Sequence, residues 1–142
     1  MNKLLIDTNI VLDLLAKREP FYSSAAQVFS LADKGKLELS ISSLTFANTN
    51  YVISRLKSAQ EAQEILRRFK ILVKVLSLND KIIEMSLNDD NFKDFEDGLQ
   101  YYSAIDNEQD IIITRDLHGF KESKVPVMTA DEYLISIEQR HD

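Results

Sequence analysis

The sequence predicts an α/β fold of three layers, α/β/α, with a central, mostly parallel sheet of about five strands. Three observations lead there. Short apolar runs of strand length alternate with longer segments of helical periodicity along the whole chain. Parallel neighbours need a crossover, and helices are the usual crossover, so strands separated by helices imply a parallel sheet covered on both faces. Finally, 142 residues with 44% hydrophobic content, three Gly and two Pro are expected to form one domain, 1-142, with a sizeable core.

The elements follow in order. "KLLI" is the first strand, and "NIVLDLLAK" puts Ile10, Val11, Leu14 and Leu15 on one helical face with Asn9, Asp13 and Lys17 opposite. Pro20 suits the first turn of a second helix, whose apolar residues Tyr22, Ala25, Ala26, Phe29 and Leu31 run towards a stop near Gly35. "LELSI" is the second strand. Ser42 or Ser43 caps a third helix, "LTFANTNYVISRLK", and "AQEAQEILRRFK" makes a fourth from strong helix formers. "ILVKVLSL" reads as the third strand and "DKIIEMSLND" as a short helix. After the acidic loop "NDDNFKDFED" comes a helix with Phe95, Leu99, Tyr102 and Ile105 at helical spacing. "DIIIT" and "VPVMT" supply the last two strands, and "ADEYLISIEQ" a closing helix with Asp131 in its first turn.

Composition narrows the function classes. The absence of Cys removes disulfides, thiolate metal sites and a cysteine nucleophile, and it accords with a reducing compartment, so the expected location is cytoplasmic. The apolar core of "MNKLLIDTN" is too short for a signal peptide, and no stretch reaches about 18 apolar residues, so a soluble chain with no membrane partner is expected. A net charge of −6 argues against a general nucleic-acid coat, whose affinity comes from many Lys and Arg contacts. It leaves room for an acidic site inside a basic rim. Rim candidates are Arg55, Lys57, Arg67, Arg68, Lys70, Arg115, Lys121 and Lys124, with a solvated helix face the simpler reading of the Arg67 cluster.

Sites in parallel sheets lie beyond the carboxyl ends of the strands, where strand order reverses. Asp7 ends the first strand and Asp116 follows the fourth, so the two converge if those strands are neighbours. Asp97 enters from the first turn of the preceding helix. Converging carboxylates raise one another's pKa unless a cation sits among them, and oxygen ligands without His or Cys point to Mg²⁺ or Mn²⁺. A metal-bound water is then a candidate nucleophile for a phosphodiester. Each residue also has a plainer account. Asp7 can simply cap the helix starting near Asn9, Asp94 and Asp97 have the spacing of a cap, and Asn48 can be a polar residue on a helix flank, with Asn50 its substitute if the register slips. Thr114 can position water or phosphate, or be structural at a strand end. Asp13, Asp89, Asp90 and Glu96 read most simply as solvated acids. Tyr101 and Tyr102 read as core in preference to base-stacking rings.

Four stretches together, "LLIDTNIVLDLL", "ISSLTFANTNYVI", "DFEDGLQYYSAI" and "DIIITRDLHGF", resemble the PIN domains, especially the small bacterial VapC-like toxins, over almost the whole chain. The resemblance implies a PIN-like fold and a metal-dependent ribonuclease whose acidic cluster binds Mg²⁺ or Mn²⁺. By position, Asp7 matches the family's first acid, Asn9 its supporting polar residue, Asp97 the acid of the later helix and Asp116 the acidic or amide position after the fourth strand. Many relatives carry another Asp where this chain has Gly119, and the third helix usually carries Glu where this chain has Asn48. An amide adds no negative charge, so lower metal affinity is expected. Arg115, beside Asp116, is the candidate to steer backbone phosphate. The resemblance further implies an RNA substrate, a cognate antitoxin protein and a homodimer.

Other chemistries fit less well. There is no G-x-S-x-G turn and no phosphate-cradling Gly-rich loop, and only His118 and His141 could serve a hydrolytic triad. A haloacid-dehalogenase-like phosphatase needs a second Asp where Asn9 stands, and a receiver-like domain needs paired acids after the first strand. The remaining alternative is a PIN-like module that binds RNA or protein without cutting.

Overall fold

A computed structural model describes residues 1–141. Five strands form one sheet: β1 (Asn2–Ile6), β2 (Leu37–Ser42), β3 (Lys74–Leu76), β4 (Ile111–Ile113) and β5 (Val127–Met128). Their order is β3-β2-β1-β4-β5 and every pairing is parallel. The chain steps outward from β1 through β2 to β3, then returns to place β4 on the other side of β1. Strand order therefore reverses between β1 and β4, with Ile6 paired to Ile113 at their carboxyl ends.

The helices are α1 (Thr8–Leu15), α2 (Tyr22–Asp33), α3 (Ser43–Leu56), α4 (Ala59–Phe69), α5 (Asp80–Asn88), α6 (Phe95–Asp106) and α7 (Ala130–His141). Alternation along the strands divides the core. Leu4 and Ile6, with Leu39, Ile41, Ile111 and Ile113, face α1, α2 and α7, where Val11, Val28, Phe29 and Tyr133 meet them. Leu5, Ile112 and Leu76 point the other way, onto Phe92, Tyr101, Ala104 and Phe120. A smaller cluster of Leu12, Ile53 and Ala62 ties α1 to α3 and α4. Burial of this kind stabilises by roughly 25 cal/mol per Å² of apolar surface and makes a one-residue strand slip costly, since a slip would turn each inward set outward.

Several local expectations are corrected. The third strand is only Lys74–Leu76, because Lys70–Leu72 continues α4 as a 3-10 turn and leaves Ile71 exposed. Pro20 precedes the second helix, which begins at Tyr22, and does not occupy its first turn. Of the two candidate caps, Ser42 is the one used: its Oγ accepts the Thr45 N–H at 3.3 Å. On α6 the face that enters the core carries Leu99, Tyr101 and Ala104, while Phe95 and Ile105 remain exposed. Asp131 does stand in the first turn of α7. Among the described residues no helix is long and apolar enough to cross a membrane.

Candidate active site

Asp7 follows β1 directly, and its N–H donates to the Ile113 carbonyl of β4 at 3.0 Å, so the β1/β4 reversal point fixes its backbone. The capping reading of its side chain is met. Asp7 is the N-cap of α1, with Oδ1 accepting the Thr8 N–H at 2.8 Å. The same carboxylate is turned into a cleft of about 290 Å³ shared with Asn48, Glu96, Asp97 and Asp116. Thr114 Oγ1 donates to its Oδ2 at 2.8 Å, and the amides of Asn9 and Gln100 approach at 3.3 Å. Burial pushes the Asp7 carboxyl above its usual range; the hydrogen bonds from Thr114, Thr8 and Gln100 oppose the rise, and the charge of Asp116 adds to it.

Asp97 reaches the cleft from the first turn of α6. Asp94 caps that helix, its Oδ1 accepting the Asp97 N–H at 3.1 Å. Asp97 therefore sits among carboxylates: desolvation first, then Asp94, Asp7, Asp116 and Glu96, push it up to about 7. Asp116, past β4, accepts the Gly119 N–H at 3.0 Å and is anchored by its own N–H to Thr114 Oγ1 at 3.0 Å. A Cβ on Gly119 would lie 2.3 Å from Asp116 Oδ2 and 2.6 Å from Asp97 Oδ2, so both oxygens close on one point beside the glycine. A side chain at 119 would fill the space these carboxylates use.

The structure thus brings Asp7, Asp97, Asp116 and Asn48 to one cleft. Asn50 lies outside it, exposed in a separate groove with Phe46 and Leu66. Asn9 stands against the same group: its Nδ2 reaches Asp7 and Thr114, and its Oδ1 accepts the Arg115 N–H at 3.2 Å. Thr114 is fully buried, and its hydroxyl is engaged with Asp7, Asn9 and Asp116; it positions carboxylates and is not free to meet water or phosphate.

Two expectations fail together. Asp13 is no solvated acid: it is buried at 0% exposure and takes both Nε and Nη2 of Arg115, at 2.8 and 3.1 Å. Arg115 is consequently committed away from the cleft, with its guanidinium 3.9 Å over the Phe21 ring, beside a separate cavity of about 320 Å³. The cleft's cation is instead Arg18, in the loop after α1. Asp89 is also engaged, accepting the Tyr102 hydroxyl at 2.6 Å, whereas Tyr101 stacks on Phe92 in the core. Glu96 is exposed but lines the cleft. The Arg67 and Arg68 cluster pairs with Glu64 on an exposed helix face.

Sequence reasoning missed Arg18, Gln100 and Thr45. Gln100 Nε2 donates to Thr45 Oγ1 at 2.9 Å as well as approaching Asp7, and Thr45 meets Thr8 at 3.0 Å. Helical spacing could have found two of them, since Gln100 and Thr45 each stand one turn from a recognised site residue, Asp97 and Asn48.

Does this donor set suit a divalent cation? Several carboxylates face one cleft, two close on one point, and their mutual repulsion is what a hard cation relieves. Among the described residues no three His, Cys, Asp or Glu side chains already form a closed chelate. One or two carboxylates around an ion that keeps several of its waters is the arrangement that suits Mg²⁺.

The PIN domain family model matches residues 3–118. Ribonuclease VapC1 of Aquifex aeolicus (strain VF5) is 27% identical over 134 residues, covering 92% of each chain. VapBC-1 from nontypeable Haemophilus influenzae superposes with a TM-score of 0.70 at 16% identity, covering 91% of this chain and 98% of that one. DNA-bound VapBC from Salmonella typhimurium gives 0.69 at 15% identity, covering 92% and 99%. A toxin–antitoxin complex from Klebsiella pneumoniae gives 0.68 at 22% identity, covering 89% and 97%. The family model spans residues 3–118 of a chain whose central sheet is parallel and five-stranded, and the chain belongs to the PIN domain family.

Proposed function

We propose that the protein is a metal-dependent endoribonuclease, the toxin of a toxin–antitoxin pair, with Asp7, Asp97 and Asp116 as its metal ligands. The observation that carries this reading is the convergence of the Asp97 and Asp116 carboxylates beside Gly119, with Asp7 in the same cleft. The likeness to a ribonuclease and to toxin–antitoxin complexes supports it.

Asp97 and Asp116 would hold Mg²⁺ or Mn²⁺ with Asp7, and the ion would supply an acidified water and charge neutralisation at the phosphate. Thr114, Asn9 and Gln100 keep Asp7 aimed at the cleft by donating to it. Thr114 also fixes the backbone of Asp116, so one buried hydroxyl sets the spacing of two acids. The Asn48 amide oxygen can accept a hydrogen bond from water in the cleft but leaves the cluster one charge short of the usual set. Asn48 also favours a second reading, a PIN module that binds RNA without cutting. The cleft walls exclude bulk water from Asp7, which strengthens each electrostatic contact there.

An antitoxin would be expected to mask this acidic cleft, and a homodimer to cover part of the apolar surface left exposed at Leu87, Phe95 and Ile105 on α5 and α6. A cytoplasmic location belongs to the same reading. The test is incubation of a mixed single-stranded RNA pool with Mn²⁺ or Mg²⁺. Cleavage that stops with chelator and is lost in Asp7→Asn supports the nuclease; an intact pool under every metal condition leaves only the binding module.

A further inference from the structure

We propose that a single-stranded polynucleotide crosses the site between two clefts, with one flanking phosphate on Arg18 and another on Lys93 and Lys121. This rests on the nuclease reading and adds the path of the substrate. The cleft that holds Asp7 and Asn48 adjoins a second one, of about 240 Å³, lined by Asn91, Lys93, Asp94, His118 and Lys121. The two share only Asp97 and Asp116, which form the ridge between them. Each cleft has its own cations: Arg18 on the first side, Lys93 and Lys121 on the second.

The physical need for them is direct. A ridge of carboxylates repels a phosphodiester backbone, and a chain of net charge −6 supplies little general attraction. A strand lying over the ridge is held only if its flanking phosphates meet positive charge on both sides. Arg115 does not serve: it pairs with Asp13 and lines neither cleft. Arg18 is half-buried at the cleft wall, and its side chain has no ion pair or hydrogen bond among the described residues. Lys93 and Lys121 are exposed and likewise without an ion pair among the described residues. His118 adds an imidazole to the second cleft. Cations on both sides of the ridge require a chain with phosphates on both sides of the cleaved linkage, so a polymer fits and a single nucleotide does not.

The experiment is equilibrium binding of a fluorescent 2′-O-methyl oligouridylate at fixed Mg²⁺, with affinity followed against salt concentration. For single strands the slope of log affinity against log salt changes by about 0.7 for each phosphate contact. Arg18→Gln is expected to flatten the slope by about one contact, Lys93→Gln with Lys121→Gln by one to two, and the triple variant by about the sum. Lys57→Gln, outside both clefts, is expected to keep the wild-type slope. A slope lowered by only one of the two sets, or lowered equally by Lys57→Gln, overturns the two-sided path. Folding is checked by unchanged thermal midpoints. Cleavage is scored separately: a protein that cuts no RNA but shows these slopes keeps the path and loses the nuclease, and one that cuts RNA without them does the reverse.

Discussion

Asn48 lines the cleft beside Asp97 and Asp116 and offers an amide where a carboxylate would add charge. Asn48→Glu is therefore expected to raise Mn²⁺ affinity by about tenfold, the scale on which groups around a metal act, read by calorimetric titration; unchanged affinity would place Asn48 away from the ion. Thr114 works differently, through three hydrogen-bond partners at zero exposure. Thr114→Val removes the shortest side-chain donor to buried Asp7 and the acceptor of the Asp116 N–H, and is expected to cost about 1 kcal/mol or more in urea unfolding. Cleavage would fall with it. At this scale the sequence is readable where a residue type is unusual for its place, as with an acid ending an apolar strand. Asp13 and Arg18 escaped because nothing local distinguishes them. Asp13 occupies a polar-looking helix position and is buried only because Arg115, about a hundred residues on, folds over it.

Among the elements, α1 and the segment after β4 are joined by that Asp13–Arg115 pair, which meets at 2.8 Å with Asp13 nearly sealed from solvent. Removing the partner of a buried charge costs more than the pair is worth, so Arg115→Met is expected to destabilise by about 3 kcal/mol, measured by denaturant unfolding. Asp13→Asn should cost less, because Arg115 keeps some access to water. The start of α6 shows the opposite trade. Asp94 caps the helix yet places a second charge against Asp97. Asp94→Asn preserves a good cap and removes the repulsion, so the Asp97 titration followed by NMR is expected to move down from about 7 with helix stability little changed. Element type was legible from periodicity and caps, as the use of Ser42 and Asp94 illustrates. Element ends were less so: the run after α4 is apolar enough for a long strand, but only Lys74–Leu76 finds a partner in β2.

For the molecule as a whole, the acidic cluster ties stability to pH. Without a cation, raised carboxyl pKa values mean that the native state holds protons the unfolded chain has released between about pH 4 and about 7. The stability they contribute is complete below the unfolded value and lost as pH rises through the folded one. The thermal midpoint in chelator is thus expected to fall across that window, Mn²⁺ to restore it, and Asp97→Asn to reduce the fall, Asp7 being raised as well. Chain order made the convergence of Asp7 and Asp116 foreseeable, conditional on β1 and β4 being neighbours, and the sheet meets the condition. The approach of Asp97 and Asp116 beside Gly119 was not foreseeable, since nothing local in the sequence brings the two side chains together. The most direct test of the site is a count of bound Mn²⁺ by electron paramagnetic resonance in wild type and Asp97→Asn. A bound ion is expected in the wild type, with an affinity lower by roughly 10- to 100-fold in the variant; equal binding by both proteins would contradict a ligand role for Asp97.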